Sequence, residues 1–490
     1  MKKLSHLEPK PIWEYFEEIC QVPRPSKKEE QILQFLENFA KKHDLEYRKD
    51  SAGNMVIDKP ASAGMQHLKK VVLQSHIDMV GEKNKGTEHD FEKDPIQPYI
   101  DGDWVKADGT TLGADDGIGM AAQLAILASD EISHGPLECL FTVDEESGLT
   151  GAQALESGLF DGKILLNLDS EDWGELFIGC AGGTDTTAIF DFDRENVPDE
   201  HQGYHIQVTG LNGGHSGDEI HKGLGNAIKI VNRFLWNITD HYDVRISRFE
   251  GGRAHNAIPR EAEAHITIHS EDVENIKKYF NAFEAAVKNE LKVTEPGLKL
   301  TLEEANMPEY VIDEDTQHDM VNALYGCPHG VHAWSQEIED LVETSTNLAA
   351  IKLQDNDAFQ VTTSQRSSVD SAKDDIASMV ESVFRLGNAK VDHSTGYPGW
   401  QPNTDSEIMK ITRDSYQRLF DQEPEVKAIH AGLECGLFLQ KYPHLDMISV
   451  GPTIKGAHTP EEAISIETTQ KFWDLLLEVL LSIPGEEAPA

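Results

Sequence analysis

Three short apolar runs, each leading into an acidic residue, constrain this chain more than any other feature. They are Val71-Val-Leu-Gln-Ser-His-Ile-Asp78, Leu137-Glu-Cys-Leu-Phe-Thr-Val143 running into Asp144-Glu145-Glu146, and Lys163-Ile-Leu-Leu-Asn-Leu-Asp169. Their length and near-continuous hydrophobicity are those of strands covered on both faces. A helical run from about 117 to 129 separates the first two, and a short helical stretch near 151–157 separates the second from the third. This alternation predicts an α/β fold, a largely parallel sheet with helices on both faces. Open sheets of that kind place their sites at the carboxyl ends of the strands, which is where this chain puts its acids.

The remainder divides into two styles. Amphipathic helices are expected at 11–22 and 27–43, the second opened by Ser26 and Glu29 at capping-box spacing. A strand is expected at Asn54–Asp58, and a polar insertion over 81–112 surrounds a short hairpin near Trp104. From about 184 the pattern becomes α+β: strands at 204–209 and 262–268, helices at 222–240 and 271–291. A rough second copy follows, with strands near 298–303, 345–353 and 358–365 and helices near 315–325 and 370–387. After 390 the first style returns. With 490 residues, too many for one ordinary core, the expected organisation is a discontinuous domain of residues 1–183 and 390–490. It is interrupted by an inserted domain of residues 184–389, built from two similar α+β halves.

Candidate functional residues sit at the predicted strand ends and in adjoining loops. His76 and Asp78 form a His-x-Asp pair, which strand periodicity puts on one face, so that Asp78 can steer the imidazole. Asp115 lies in Thr111-Leu-Gly-Ala-Asp-Asp-Gly-Ile-Gly119, ahead of an apolar helix, where its two oxygens are free to bridge two metal ions. Glu145 and Glu146 are neighbours whose side chains diverge, so one can bind metal while the other faces substrate. Asp169 ends the third apolar run, and His458 lies in the loop Gly451-Pro-Thr-Ile-Lys-Gly-Ala-His458-Thr-Pro460. Each has a plainer reading of its own: Asp115 as a helix cap, the glutamates as a solvated turn, His458 as a surface histidine. Taken together, two histidines and three carboxylates of one domain suit two zinc ions, with manganese or cobalt as substitutes. Glu145 is left unspent, as a general base should be.

Composition removes other classes. The 86 acidic and 43 basic residues give a formal charge of −43, which repels phosphate backbones and argues against nucleic acid as a partner. No apolar run approaches the ~20 residues of a membrane span, and the start, Met1-Lys-Lys-Leu-Ser-His-Leu-Glu-Pro9, has no secretory apolar core. Five scattered cysteines with no C-x-x-C pair suit reduced thiols. A soluble, cytoplasmic protein is expected. A nucleotide site at Gly179-Cys-Ala-Gly-Gly183 is disfavoured because it lacks the P-loop lysine and hydroxyl residue.

The wording of His76-Ile-Asp78, Gly113-Ala-Asp115-Asp-Gly117, Asp144-Glu-Glu146-Ser-Gly148, Asn167-Leu-Asp169 and Gly456-Ala-His458 resembles the two-zinc aminoacylase, carboxypeptidase and dipeptidase family. Longer stretches narrow the resemblance to its bacterial Xaa-His dipeptidase branch. These are Asp94-Pro-Ile-Gln-Pro-Tyr-Ile100, Gly179-Cys-Ala-Gly-Gly183, Gly213-Gly-His-Ser-Gly217, Tyr397-Pro-Gly-Trp-Gln-Pro402 and Ile429-His-Ala-Gly-Leu-Glu-Cys-Gly436. The resemblance implies that His76 and Asp169 hold one zinc, Glu146 and His458 the other, and Asp115 bridges them. It implies Glu145 as acid and base, Asp78 as the residue steering His76, and the inserted domain as a lid. On the lid, His215 would stabilise the oxyanion, Asn256 would meet the substrate, and Arg366 would bind the substrate carboxylate. Arg366 here follows Thr362-Thr-Ser-Gln rather than the apolar residues common in relatives. The implied activity is hydrolysis of small dipeptides with a free amino terminus, carnosine (β-alanyl-histidine) among them, by a homodimer. An N-acyl amino-acid deacylase or tripeptidase on the same fold is the rival enzyme, and a silent peptide-binding protein the rival outside catalysis.

Overall fold

The computed structural model describes residues 4–486 as a mixed α/β protein. The chain divides into two compact units. The first takes the chain up to Gly179, then Pro402–Ala428 and everything from Leu433; the second takes Cys180–Gln401 with Ile429–Gly432.

The first unit is built on an eight-stranded sheet. Its strand order is Tyr47–Lys49, Met55–Lys59, Leu137–Thr142, Val71–His76, Ile164–Asn167, Asp446–Ser449, Glu175–Cys180 and Glu425–Ile429. The four central strands, Leu137–Thr142 through Asp446–Ser449, run parallel. Three of them are the apolar runs that open the sequence argument, and every residue of Val71–His76, Leu137–Thr142 and Ile164–Asn167 is buried. Burial on both faces is what selects continuous hydrophobicity over alternation. Because the strands are parallel, their carboxyl ends share one rim.

The helix Ala114–Ala128 packs between the strand Val71–His76 and the helix Lys10–Ile19. Its residues from Ala114 to Leu127 are buried, consistent with an apolar helix rich in Gly and Ala. It does not begin as a clean turn: Asp115 and Asp116 have non-helical dihedrals, and the peptide between them is cis.

The expected capping box at Ser26 and Glu29 does not form. The helix there is Glu30–Lys42 and has no side-chain cap. The Ser26 hydroxyl instead donates to Asp78 Oδ2 (2.7 Å), and Glu29 Oε1 accepts from the backbone of Lys27 (2.8 Å) and Asp144 (3.1 Å). Two of these partners, Asp78 and Asp144, are distant in sequence and draw both side chains away from the local cap. The hairpin near Trp104 is Pro98–Asp101 with Trp104–Ala107. It is extended by Ala463–Ser465 and then Ile454–Lys455, so a four-stranded sheet clamps both ends of the loop that carries His458.

The second unit is organised on a nine-stranded sheet. Along its path lie Lys299–Glu304, His201–Thr209, Ala262–His269, Val244–Gly251, Val342–Gln354, Ala358–Ser367, Gly182–Asp191 and Lys390–His393, with Gly330–Trp334 pairing off the path. The two α+β stretches of the sequence meet within this one sheet, through Gly251 opposite Ile351. Its core is formed by inward residues such as Tyr204, Ile206, Ala264 and Ile266 packed on Ile228, Phe234, Phe280 and Phe384 from the helices. The helix expected over 222–240 is broken: a 3-10 turn, Ile220–Lys222, ends at Gly223, whose φ is +68°, and the α-helix starts at Ala227 with Asn226 as its cap. All five cysteines are buried, and none forms a disulfide. Among the described residues, no helix is long and apolar enough to cross a membrane.

Candidate metal centre

The rim of the first unit's parallel strands gathers five donors. His76 ends the strand Val71–His76 and is buried. Its Nε2 lies 2.9 Å from Asp115 Oδ1 and 3.4 Å from Asp169 Oδ1. His458, with φ +63° in its loop, places Nε2 3.1 Å from Asp115 Oδ2 and 2.9 Å from Glu146 Oε2. Asp115 thus offers one oxygen to each histidine. Two donor groups follow, His76–Asp115–Asp169 and Asp115–Glu146–His458, and they share that one carboxylate.

Asp115 is free to do this because Asp116 takes the local task. Asp116 Oδ1 accepts the Gly119 N–H at 3.0 Å, the bond by which a residue caps a helix. The plain reading of the Asp-Asp pair is therefore realised, by the second aspartate. The loop before it is held by groups remote in sequence. Glu462 is 2% exposed and accepts from the backbone of Leu112 (2.7 Å), Gly113 (2.9 Å), Ala114 (2.7 Å) and Asp115 (3.3 Å). The buried Arg24 guanidinium donates to the carbonyls of Ile77 (3.0 Å), Asp78 (2.6 Å) and Gly113 (2.5 Å). Gly113 has φ +70°, and a β-carbon there would meet Arg24 Nη2 at 2.7 Å, so glycine is required on both counts. Neither Arg24 nor Glu462 carries a local sequence signal.

Asp78 is fully buried, two residues beyond His76, with Oδ1 3.4 Å from His76 Nδ1. The same carboxylate accepts the backbone N–H groups of Glu145 (3.0 Å) and Glu146 (3.2 Å). Burial works against its charge, but His76, Ser26 and the Glu145 N–H outweigh burial and bring its pKa down to about 2. Asp78 therefore ties the His76 ring to the turn carrying both glutamates. Glu145 stays clear of these ion pairs. Burial, then the negative charges of Asp169, Glu434 and Glu146, push its carboxyl well above the usual range against the pull of His76. Glu434, buried in the first unit, accepts from Gln74 Nε2 (2.7 Å) and Thr142 Oγ1 (2.9 Å). Burial raises its pKa to about 7.

The donor set fits divalent cations on three observations. The Asp115, Glu146 and Asp169 carboxylates lie together at the rim, while Arg24 is spent on backbone carbonyls. Buried anions without a counter-charge are costly. The protein alone balances them with protons. Hydrogen bonds to Asp115 and Glu146 lift the His458 pKa to about 11, and for His76 the carboxylates of Asp169 and Asp115 override burial and raise it well above normal. Burial raises Asp169 to about 8, with Asp115 and Glu434 adding repulsion. Finally, Glu146 Oε1 is a buried polar atom with no hydrogen bond. Imidazole and carboxylate donors at these spacings are what zinc-like ions take.

The remaining candidates lie in the second unit. His215 pairs with Ala257 across a two-residue ladder, and the Asn256 carbonyl accepts the Ser216 N–H at 2.9 Å. Arg366, in the strand Ala358–Ser367, reaches Ser216 Oγ (3.4 Å) with Nε and Tyr397 Oη (2.9 Å) with Nη1. His215, Asn256 and Arg366 are thus grouped around Ser216. Tyr397 and His430 join this group: His430 is buried and its Nε2 lies 2.7 Å from Ser345 Oγ. Both belong to stretches that are distinctive in the sequence, yet nothing local marks them as neighbours of Arg366.

Known proteins resemble this chain over nearly its whole length. A family model described as "Peptidase family M20/M25/M40" matches residues 72–482. Over 486 residues the chain is 46% identical to the cytosol non-specific dipeptidase of Escherichia coli (strain K12), covering 99% of this chain and 100% of that one. Among solved structures, aminoacylhistidine dipeptidase from Vibrio alginolyticus superposes with a TM-score of 0.93 at 46% identity over 99% of each chain. A tripeptidase from Staphylococcus aureus shares the fold at 17% identity, with a TM-score of 0.56 over 97% of this chain and 98% of that one.

Proposed function

The chain belongs to peptidase family M20/M25/M40 and is a hydrolase of peptide bonds, and from that premise we propose that it cleaves dipeptides with a free amino terminus, Xaa-His dipeptides such as carnosine among them. The observation that carries the reading is Asp115, one oxygen directed at His76 and the other at His458, with Glu145 uncommitted beside them. On this reading His76 and Asp169 would hold one divalent ion and Glu146 and His458 a second, with Asp115 available to both. Zinc is the expected metal, with manganese or cobalt as substitutes. Bound there, the ions supply Lewis acidity that polarises the scissile carbonyl and makes water acidic enough to react near neutral pH.

The chain's own groups do the rest. The Glu145 carboxylate takes the proton from the attacking water and returns it to the leaving amine. Asp78 fixes the His76 ring and, through the Glu145 and Glu146 N–H groups, the direction of both glutamates. The second unit serves as the lid. In it His215 donates to the developing oxyanion, a contribution of ~3 kcal/mol for one donor. Asn256 contacts the substrate, and Arg366, oriented by Tyr397, pairs with the free carboxylate and so favours short peptides. The similarity to a cytosol non-specific dipeptidase and five buried cysteines outside any disulfide support a cytoplasmic location. A homodimer is the assembly proposed.

Glu145→Gln is the direct test. Purified with both metals in place, that variant is expected to lose ~10²–10⁴-fold in kcat on β-alanyl-histidine, and full activity in the metal-loaded variant refutes the role. A panel of free dipeptides, tripeptides and N-acetyl amino acids tests the substrate class. Turnover confined to N-acetyl amino acids or tripeptides overturns the dipeptide reading, and binding without cleavage of any of them points to a silent peptide-binding protein.

A further inference from the structure

The second unit holds a second cluster of metal-ligating side chains, independent of the rim already described. In the strand His201–Thr209, Tyr204, Ile206 and Val208 enter the core, so His205 and Gln207 face the other way. In the neighbouring strand Ala262–His269, Ala264 and Ile266 enter the core, so Glu263 and His265 share that opposite face. The antiparallel register sets His205 directly across from His265, and Gln207 across from Glu263. One ligand atom from each of His205, Glu263 and His265 lies within 4.8 Å of the others.

We propose that His205, Glu263 and His265 form a binding site for a zinc-class divalent ion that staples these two strands of the second unit. His205 Nε2 is shielded from solvent and makes no hydrogen bond, although it lies 3.3 Å from Glu263 Oε2. An ordinary histidine–glutamate ion pair would direct an N–H along that line. The spacing instead matches the ~3.3 Å edge of a tetrahedron with zinc–ligand bonds of ~2.0–2.1 Å. The two imidazole rings have centroids 4.5 Å apart and are tilted by 34°, close enough that two imidazolium charges would repel.

The surroundings favour a cation. Glu250 stands opposite Glu263 and Glu303 opposite His205 on the two flanking strands. Arg248, opposite His265, is engaged by Glu250 at 2.6 Å. Two imidazoles and one carboxylate are a recurrent three-residue zinc set that leaves the fourth position to water.

The test is a count of Zn2+ on tag-free, full-length protein, stripped with chelator and equilibrated with buffered Zn2+. The wild type is expected to hold three ions per chain, two at the rim and one here. H205N/H265N is expected to hold two and to hydrolyse dipeptides at the wild-type rate. Two ions in the wild type, or three in the double variant, overturns the site. Glu263→Gln keeps both imidazoles and the strand pairing, and so guards against misfolding of the double variant. It is expected to weaken the third equivalent by ~10-fold or more, and unchanged affinity for that equivalent overturns the site as well.

Discussion

Replacing Glu462 by Gln tests whether the position of Asp115 is imposed from outside its own loop. Glu462 Oε2 accepts the N–H groups of Leu112 and Gly113 at 2.7 and 2.9 Å, and Oε1 those of Ala114 and Asp115 at 2.7 and 3.3 Å. Only an ionised carboxylate can accept all four. Whichever oxygen becomes an amide nitrogen in Glu462→Gln, two backbone donors then face another donor with no water to turn to. Hydrogen bonds to a charged group are each worth ~1.5–3 kcal/mol, so losing the weaker pair costs ~3 kcal/mol. The loop relieves this by moving, and Asp115 moves with it. Metal binding must then restore the native loop against the same ~3 kcal/mol, which lowers affinity by ~10²-fold. Competition with a chelator of known zinc affinity measures this directly, and the unfolding temperature of the metal-free protein reports the loop itself. A Glu462→Gln variant with zinc affinity within ~3-fold of wild type and an unchanged unfolding temperature would refute the argument.

Other outcomes follow from the same structure. His430 is buried, and burial, with Arg366 nearby, depresses its pKa from 6.5 to about 3. Below pH 6.5 the unfolded chain therefore takes a proton that the native protein refuses, and this group removes ~1.4 kcal/mol of stability per pH unit as pH falls toward 3. In urea titrations between pH 6.5 and 4.5 the His430→Asn variant should lose stability less steeply than wild type, and parallel slopes would count against the assignment. Tyr397→Phe removes the hydroxyl 2.9 Å from Arg366 Nη1. A loss of ~1–2 kcal/mol there should raise the dipeptide KM by ~5–30-fold with a smaller change in kcat, and an unchanged KM would free Arg366 from its assigned task. Chelator treatment should abolish hydrolysis and lower the unfolding temperature, since an ion held at 100 times its Kd contributes ~2.7 kcal/mol to the folded state. Restoration of both by Zn2+, Mn2+ or Co2+ is the control, and activity that survives complete metal removal contradicts the metal-dependent reading.

The parallel strands and the residues at their ends are legible in the order of residues alone. Continuous apolar runs are a local property, and strand direction follows from alternation with helices, so residue pattern alone assigns His76, Glu145, Glu146 and Asp169 to one rim. Tertiary structure decided how those donors are shared. Asp115 and Asp116 are equivalent as letters, and the difference arises because Asp116 caps the helix while Glu462 and Arg24 hold the loop that frees Asp115. Ser26 and Glu29 look like a helix cap in sequence, but a bond to the buried Asp78 and backbone donors at Lys27 and Asp144 satisfy them better. The cross-strand pairing of His205 with His265 is likewise invisible until register brings together residues far apart in the chain. The physical reason is common to all three. Propensity and periodicity act over a few residues, whereas a buried polar group takes whichever partner the fold delivers.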